Sequence, residues 1–463
     1  MKIRKLKYKD HPILGDIELD FVNTETDEAY DNIILVGENG TGKSTILETL
    51  NTFLCIGTFE PFEYIEYEVE TGSRKSIYRI SPSMIPNTIP CAFTLKKAGN
   101  SNYENIVRGK INKKEIENDI RDIRHYGCVL SKARANFRTK KITSTTSSDL
   151  DSERYLSDEN DDFASLKQLI VDLDELDNRE FRKRNMELDA KGCEKGLRDR
   201  DFKAHSKINR FSKAFEEFFK NITFNGVDTL DGEKKVIFRK LQGENYVEIP
   251  IDSLSTGEKQ IVFRGAYLLR NSTMLNGGII MVDEPELSMH PKWEKDILRY
   301  YTGLFNDAEG KQQSQIIFAS HSDHIVRKAM EGGDRYLILA LKNSGVEISV
   351  QRVEIPNDAT FITSAEINYF TFGLPSIDFH TQLYAKVQMK AGDKNIKGTD
   401  DYIVSRTDCY DPSKHKKESS YGSTNYETLC TYVRNLIDHP KKDVAVNEDD
   451  LRNSIELMLQ LLK

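Results

Sequence analysis

The chain has 463 residues, 38% hydrophobic and 30% charged, enough for about two to four packed units with a wet surface. No run of about 18 apolar residues occurs, which excludes a membrane-spanning helix, and no apolar stretch follows Met1-Lys2-Ile3-Arg4-Lys5, which argues against a secretory signal. The formal charge of -8 restricts any nucleic-acid contact to a local basic patch, and six scattered cysteines without a Cys-x-x-Cys pair fit a reducing cytoplasm rather than a zinc site or disulfide framework.

Near the N-terminus Ile17, Leu19 and Phe21 alternate with Asp16, Glu18 and Asp20, as in a half-buried strand. Residues 32–36 form a short apolar run of the fully buried type, followed at once by glycines and then by a helical pattern with Ile46, Leu47 and Leu50. Residues 60–125 mix short strand-like runs with turns. Residues 141–163 are rich in Ser, Thr and Asp and read as a loop. From 164 to 220 the chain is charged and helical, with Leu166, Leu169, Leu173 and Leu176 at helical spacing. Residues 278–282 and 315–319 are two further buried strands. Apolar strands separated by helices predict an α/β sheet covered on both faces.

Beyond about residue 355 the pattern changes. Phe379, Leu383 and Val387 mark a helix capped by Ser376. Residues 389–426 are polar and rich in Gly, Ser and Lys, and read as a linker or exposed loop. Leu429, Val433, Leu436 and Ile437 mark another helix. Asn447 caps the last one, where Glu448, Asp449 and Asp450 suit the positive helix end and Leu451, Ile455, Met458 and Leu462 form a stripe. Such a stripe must bury itself on something, either the part of the chain before residue 355 or another chain.

Gly37-Glu38-Asn39-Gly40-Thr41-Gly42-Lys43-Ser44, with Thr45 beginning the helix, has the spacing of a phosphate-binding loop. The glycines let backbone N–H groups curl around phosphate oxygens, Lys43 reaches the β- and γ-phosphates of ATP, and the Ser44 hydroxyl ligates Mg2+. A plain Gly-rich turn is the alternative, but the buried strand before it and the Lys-Ser pair favour phosphate. Asp283-Glu284 follow the second buried strand. There Asp283 suits magnesium and Glu284 suits a general base on the attacking water.

Leu254-Ser255-Thr256-Gly257-Glu258 resembles the signature loop of the ABC ATPase family, with Thr256 in place of the usual first glycine. The resemblance implies an ABC-type head with a mixed sheet and a helical insertion, spanning 1–355 with the insertion at 125–220, and a mainly helical C-terminal domain at 356–463. It implies that Ser255, Thr256, Gly257 and Glu258 meet the γ-phosphate held by another subunit, hence a homo-oligomer closing head to tail. Ser288-Met289-His290-Pro291 stands where the family's dimer-contacting loop belongs, and His321 where its switch histidine belongs. No glutamine lies between Ser44 and Gln168, so the family's glutamine loop has no counterpart, and no aromatic stands out for stacking on adenine.

Without long heptads or membrane segments, the chain resembles the ATPases of bacterial anti-phage defence, and among them the PtuA family of Septu systems, which works beside a separate HNH nuclease. That resemblance implies an ATP-switched subunit with a nuclease partner. Two alternatives remain open. Arg434 and His439 have the Arg-x4-His spacing of HEPN ribonucleases, although the five-residue offset on a helix, Pro440 and a helix end favour a packing role. A DNA-repair-type ABC ATPase is the other. Two basic groups, Lys132/Arg134/Arg138/Lys140/Lys141 and Arg179/Arg182/Lys183/Arg184, suit nucleic-acid phosphates or merely a solvated face.

Overall fold

The computed structural model describes all residues except 73, 134–140, 147–149, 158–162, 192–201, 203–205, 308, 346, 354–362 and 441–444. The chain divides into two compact units, Met1–Glu354 and Ile355–Lys463.

The centre of the first unit is a seven-stranded mixed sheet. Its order is Tyr155–Ser157, Cys128–Ser131, Ile279–Asp283, Gln315–Ser320, Asn32–Val36, Tyr336–Asn343 and Ile348–Arg352. All neighbours run parallel except the last pair. The four central strands, from 128–131 across to 32–36, are buried along their whole length, as expected of a sheet covered on both faces. The predicted strands at 32–36, 278–282 and 315–319 are thus adjacent, and their C-terminal ends open on one edge.

Two further sheets flank this core. A six-stranded antiparallel sheet runs in the order Glu18–Asp20, Lys2–Tyr8, Phe62–Thr71, Arg74–Pro82, Phe93–Lys97 and Tyr103–Ile106. It sends Ile3, Leu6, Leu19, Ile65, Tyr67, Ile80 and Phe93 into the same core as Ile33, Leu35 and the phosphate-loop helix Lys43–Leu54. The insertion contains the helices Phe163–Ala190 and Asn209–Phe218. Leu166, Leu169 and Leu173 are buried there, whereas Leu176 is exposed. A three-stranded sheet, Ile222–Leu230, Glu233–Gln242 and Asn245–Pro250, follows this insertion and leads to the helix Thr256–Leu269.

The second unit has its own core, in which Phe379, Leu383 and Val387 of the helix Ile377–Lys390 meet Leu451, Ile455, Met458 and Leu461 of Glu448–Leu462. Ser376 caps the first helix and Asn447 the second, as expected. The apolar stripe of the last helix is therefore satisfied within the unit, with Leu461 buried and Leu462 only partly so. Residues 389–426 are not a linker. They form the helix Ile396–Ser405 and the hairpin Lys416–Tyr421/Thr424–Thr428. Ile403 and Tyr410 join the core of the unit, Tyr426 is buried, and Asp400, fully buried, accepts from the Glu427 amide (2.9 Å), the Thr428 amide (3.1 Å) and Thr428 Oγ1 (2.6 Å). Widely spaced apolar residues and internal hydrogen bonds stand here in place of the periodic apolar stripe that a sequence reading looks for. Among the described residues, no helix is long and apolar enough to cross a membrane.

Candidate functional site

The site gathers at the edge where the central strands end. Parallel register sets Asp283 opposite Ala319 and Ser320 opposite Val36, so the phosphate loop, Asp283-Glu284 and His321 leave the sheet side by side. Gly37, Gly40 and Gly42 have φ of 153°, 85° and 86°. A Cβ on Gly37 would lie 2.4 Å from the carbonyl oxygen of Leu341, so the loop needs glycine there for close approach as well as for conformation. Glu38, Asn39 and Gly40 form the exposed tip, and Thr41 Oγ1 donates to the Glu38 carbonyl (2.8 Å). Lys43 turns back into the loop, where its Nζ donates to the carbonyls of Gly37 (2.7 Å) and Glu38 (3.0 Å). Burial pushes the ammonium below its usual range, opposed by the charges of Glu284, Asp283 and Glu286. Ser44 and Thr45 occupy the first turn of the helix, whose positive end faces the loop. The turn at His11–Gly15 borders it, with Leu14 and Ile13 beside Gly42.

Burial raises the Asp283 carboxyl above its usual range, against a hydrogen bond from Ser44 and the charges of Arg264 and Lys43. Asp283 Oδ1 is buried with no hydrogen-bond partner among the described residues. An orphaned carboxylate oxygen beside a serine hydroxyl is a hard oxygen donor set, and it fits magnesium. Glu284 has a left-handed backbone (φ 47°), its amide donates to the Ala319 carbonyl (2.8 Å), and its carboxylate meets His321 Nδ1.

Glu286 was not singled out by sequence reasoning. Its buried Oε1 accepts from Ser320 Oγ (2.7 Å) and from the His321 amide (3.1 Å), and lies 3.5 Å from His321 Nδ1. Burial, then the charge of Glu284, pushes its carboxyl up to about 7. Glu284, Glu286 and His321 thus offer three polar atoms within 4.8 Å of one another. A carboxylate two residues beyond the Asp-Glu pair was the only sequence signal for Glu286. On the other side of Asp283, the strand Cys128–Ser131 ends with Ser131 opposite Val282. The chain leaves the sheet there through Ser131 and Lys132, without a glutamine, and Lys132 Nζ pairs with Glu48 of the phosphate-loop helix (2.8 Å).

Ser255 caps the helix Thr256–Leu269 and, with Glu258, closes a capping box. Ser255 and Thr256 are exposed, whereas Gly257 and Glu258 are buried. A Cβ on Gly257 would meet the carbonyl oxygen of Ser288 at 2.8 Å, so the signature segment rests on the 288–291 loop. Burial opposes ionisation of Glu258, but Lys240 Nζ (2.6 Å) and the Ser255 amide and hydroxyl hold its carboxyl below the usual range. Glu258 therefore faces its own helix, while Ser255 and Thr256 remain open to another molecule. His290 caps the helix Pro291–Gly303, its Nδ1 accepting from the Lys292 amide (3.1 Å).

In the second unit Arg434 pairs with Asp438 and donates to Asn435 Oδ1 (3.0 Å), while His439 ends the helix Leu429–Asp438 and stacks on Tyr421 (4.3 Å between ring centres). Each is engaged with a different neighbour, and no hydrogen bond joins the two among the described residues. Of the basic groups, Arg134, Arg138 and Lys140 lie outside the described residues. Arg179 and Arg184 pair with Glu175 and Glu180 along their own helix, beside exposed Arg182 and Lys183, and Lys141 is also exposed.

Residues 33–327 match a protein-family profile described as "AAA domain, putative AbiEii toxin, Type IV TA system". Among solved structures, the chain is similar to an SMC head bound to the C-winged helix domain of ScpA, at 15% identity over 77% of this chain and 99% of that chain, with a TM-score of 0.41. It is also similar to the SMC head domain from Thermotoga maritima (15% identity, 77% and 100% covered, TM-score 0.36). A third is the recombination mediator protein RecF of the RecFOR pathway (12% identity, 75% and 97% covered, TM-score 0.33).

Proposed function

Because the chain belongs to the AAA-domain family of that AbiEii-toxin profile, and is an ATP-hydrolysing P-loop ATPase of the ABC type, we propose that it is the ATP-switched regulatory subunit of an anti-phage defence complex. In this reading two copies close head to tail over nucleotide and control a partner HNH nuclease. The observation that carries the ATP-switch part is the meeting of Lys43, Ser44, Asp283, Glu284 and His321 at one sheet edge, with exposed Ser255 and Thr256 on a separate capped helix. The family description names a putative toxin of a TA system, which supports a role in a system of more than one component. The HNH partner rests on the resemblance to Septu ATPases.

The residues take these roles. Backbone amides of the 37–44 loop and Lys43 bind the β- and γ-phosphates, and Lys43 exchanges its two carbonyl acceptors for phosphate oxygens. Ser44 and Asp283 hold magnesium, which when bound neutralises phosphate charge. Glu284 takes the proton from the attacking water, and His321, held against Glu284 and Glu286, donates to the γ-phosphate. Ser255 presents its hydroxyl and the helix N-terminus to nucleotide on the other copy.

Isothermal titration tests the first step: Lys43→Ala should give no ATP heat, and undiminished affinity would overturn the phosphate-loop assignment. Glu284→Gln should keep ATP, lose roughly 10²- to 10⁴-fold in hydrolysis and accumulate closed dimers in light scattering. Adding Ser255→Arg should disperse them, and dimers that survive would place the interface elsewhere. Co-purification with an encoded HNH neighbour tests the partner.

A further inference from the structure

The helix that carries the signature cap also carries a buried cation that reaches the hydrolytic strand. Arg264 is 1% exposed. Its Nε donates to Ser131 Oγ (3.0 Å), its Nη2 to the carbonyls of Ser131 (3.0 Å) and Asp283 (2.5 Å), and its Nη1 to the carbonyl of Glu284 (2.8 Å). No carboxylate pairs directly with it among the described residues. A guanidinium without a carboxylate is costly to bury, and a core position that needed only bulk would take an apolar residue instead. What the five-donor fork supplies is geometry: it fixes several carbonyls at once.

Those carbonyls belong to a strained turn. Glu284 is left-handed, a conformation that costs a non-glycine residue about 1 kcal/mol or more and persists only when its surroundings over-determine it. Its amide is tied to Ala319, and its carbonyl receives both Arg264 and the Leu287 amide (3.1 Å). The carboxylate that meets His321 is aimed by this backbone.

We propose that Arg264 is a positioning residue that couples the signature helix to the hydrolytic turn. It lies nine residues beyond Ser255, about 14 Å along a rigid helix, so a small shift of that helix on engaging nucleotide of another copy moves the carbonyls of Asp283 and Glu284 with it. The general base of one copy is thereby set by what its own signature helix touches. This inference rests on the proposed roles of Ser255 and Glu284.

Three variants test it in the full chain: Arg264→Lys, which keeps charge but cannot span the acceptors; Arg264→Met, which keeps bulk; and Ser131→Ala, which removes one acceptor. Arg264→Lys should retain ATP affinity and KM within about twofold while kcat falls between tenfold and a hundredfold, as small misplacements of catalytic groups do. Arg264→Met should fall further, with Lys as the partial rescue. Amide hydrogen exchange over 284–287 should speed up in both with ATP bound. A purely structural role would lower the melting temperature and leave kcat per folded site unchanged. Wild-type kcat and exchange in folded Arg264→Lys and Ser131→Ala would overturn the proposal even if Arg264→Met does not fold. Glu284→Gln run in parallel separates the two levels: full hydrolysis in that variant rejects the site assignment itself, whereas its loss beside an unaffected Arg264→Lys rejects only the coupling.

Discussion

The three glycines of the phosphate loop should not respond alike to alanine, and the structure ranks them. Gly40 has φ of 85° and open space where a Cβ would stand, so Gly40→Ala bears only the left-handed penalty, about 1–2 kcal/mol. Gly42 has nearly the same φ, 86°, but its Cβ would fall 2.3 Å from Leu14 Cδ2. That neighbour is the tip of a side chain and can swing, so Gly42→Ala should cost more than Gly40→Ala, by about 1 kcal/mol. Gly37 is the rigid case: its Cβ would meet the Leu341 main-chain oxygen at 2.4 Å and Thr41 Oγ1 at 2.9 Å. That oxygen belongs to the strand Tyr336–Asn343 and cannot move alone. Left-handed strain plus about 1–3 kcal/mol of overpacking gives a loss of roughly 2–5 kcal/mol for Gly37→Ala. Urea unfolding without nucleotide measures all three, and titration with ATP checks that Gly40→Ala still binds. Equal losses for Gly40→Ala and Gly37→Ala would refute the argument that close approach, more than backbone freedom, fixes glycine at 37.

In the second unit, burial pushes the imidazole of His380 down to about 4, and its Nε2 lies 2.9 Å from Ser454 Oγ. A depressed histidine pKa means that the unfolded chain takes up the proton first, so its contribution is intact above the unfolded value and lost as pH falls toward 4. Between pH 8 and pH 5 the loss is about 2 kcal/mol, and His380→Gln should flatten that part of the urea-unfolding profile; identical pH slopes would refute it. Arg434→Ala breaks a half-exposed pair with Asp438 and should cost under about 1 kcal/mol while leaving ATP hydrolysis intact. RNA cleavage by the purified chain that disappears in both Arg434→Ala and His439→Ala would replace the partner-nuclease reading with an intrinsic one.

The parts of the fold legible in the sequence were those whose signal is local. Residues 32–36, the loop after them, and the strand before Asp283 announce themselves by consecutive apolar residues and fixed spacing. The antiparallel sheet was hidden because Lys2–Tyr8 alternates Ile3, Leu6 and Tyr8 with four cations, and its partner Phe62–Thr71 stands about 60 residues away. The stretch 389–426 was hidden because its buried residues Ile403, Tyr410 and Tyr426 follow no single period and the Asp400–Thr428 bonds that tie it down carry no apolar signal. Arg264 looks like any cation in a helix until the fold brings it to Ser131, 133 residues earlier, and to two carbonyls that carry no side-chain signature at all.

The order of strands in the central sheet also governs when the molecule can first exist. Asn32–Val36 leaves the ribosome before both its neighbours, Gln315–Ser320 and Tyr336–Asn343, which are made about 280 residues or more later. At roughly 5–20 residues per second, a strand apolar from Ile33 to Val36 and its glycine loop wait some 15–60 s for a sheet to enter. Pairings this distant in sequence also close slowly once the chain is complete. A nascent or truncated chain ending before residue 315 therefore carries the phosphate-loop sequence without a phosphate site, and it presents an unpaired strand to chaperones or to other copies. If ATP binds only the finished edge, as the proposed function requires, it arrives as the last component of folding, and its presence during refolding should raise the yield of native protein rather than merely report it.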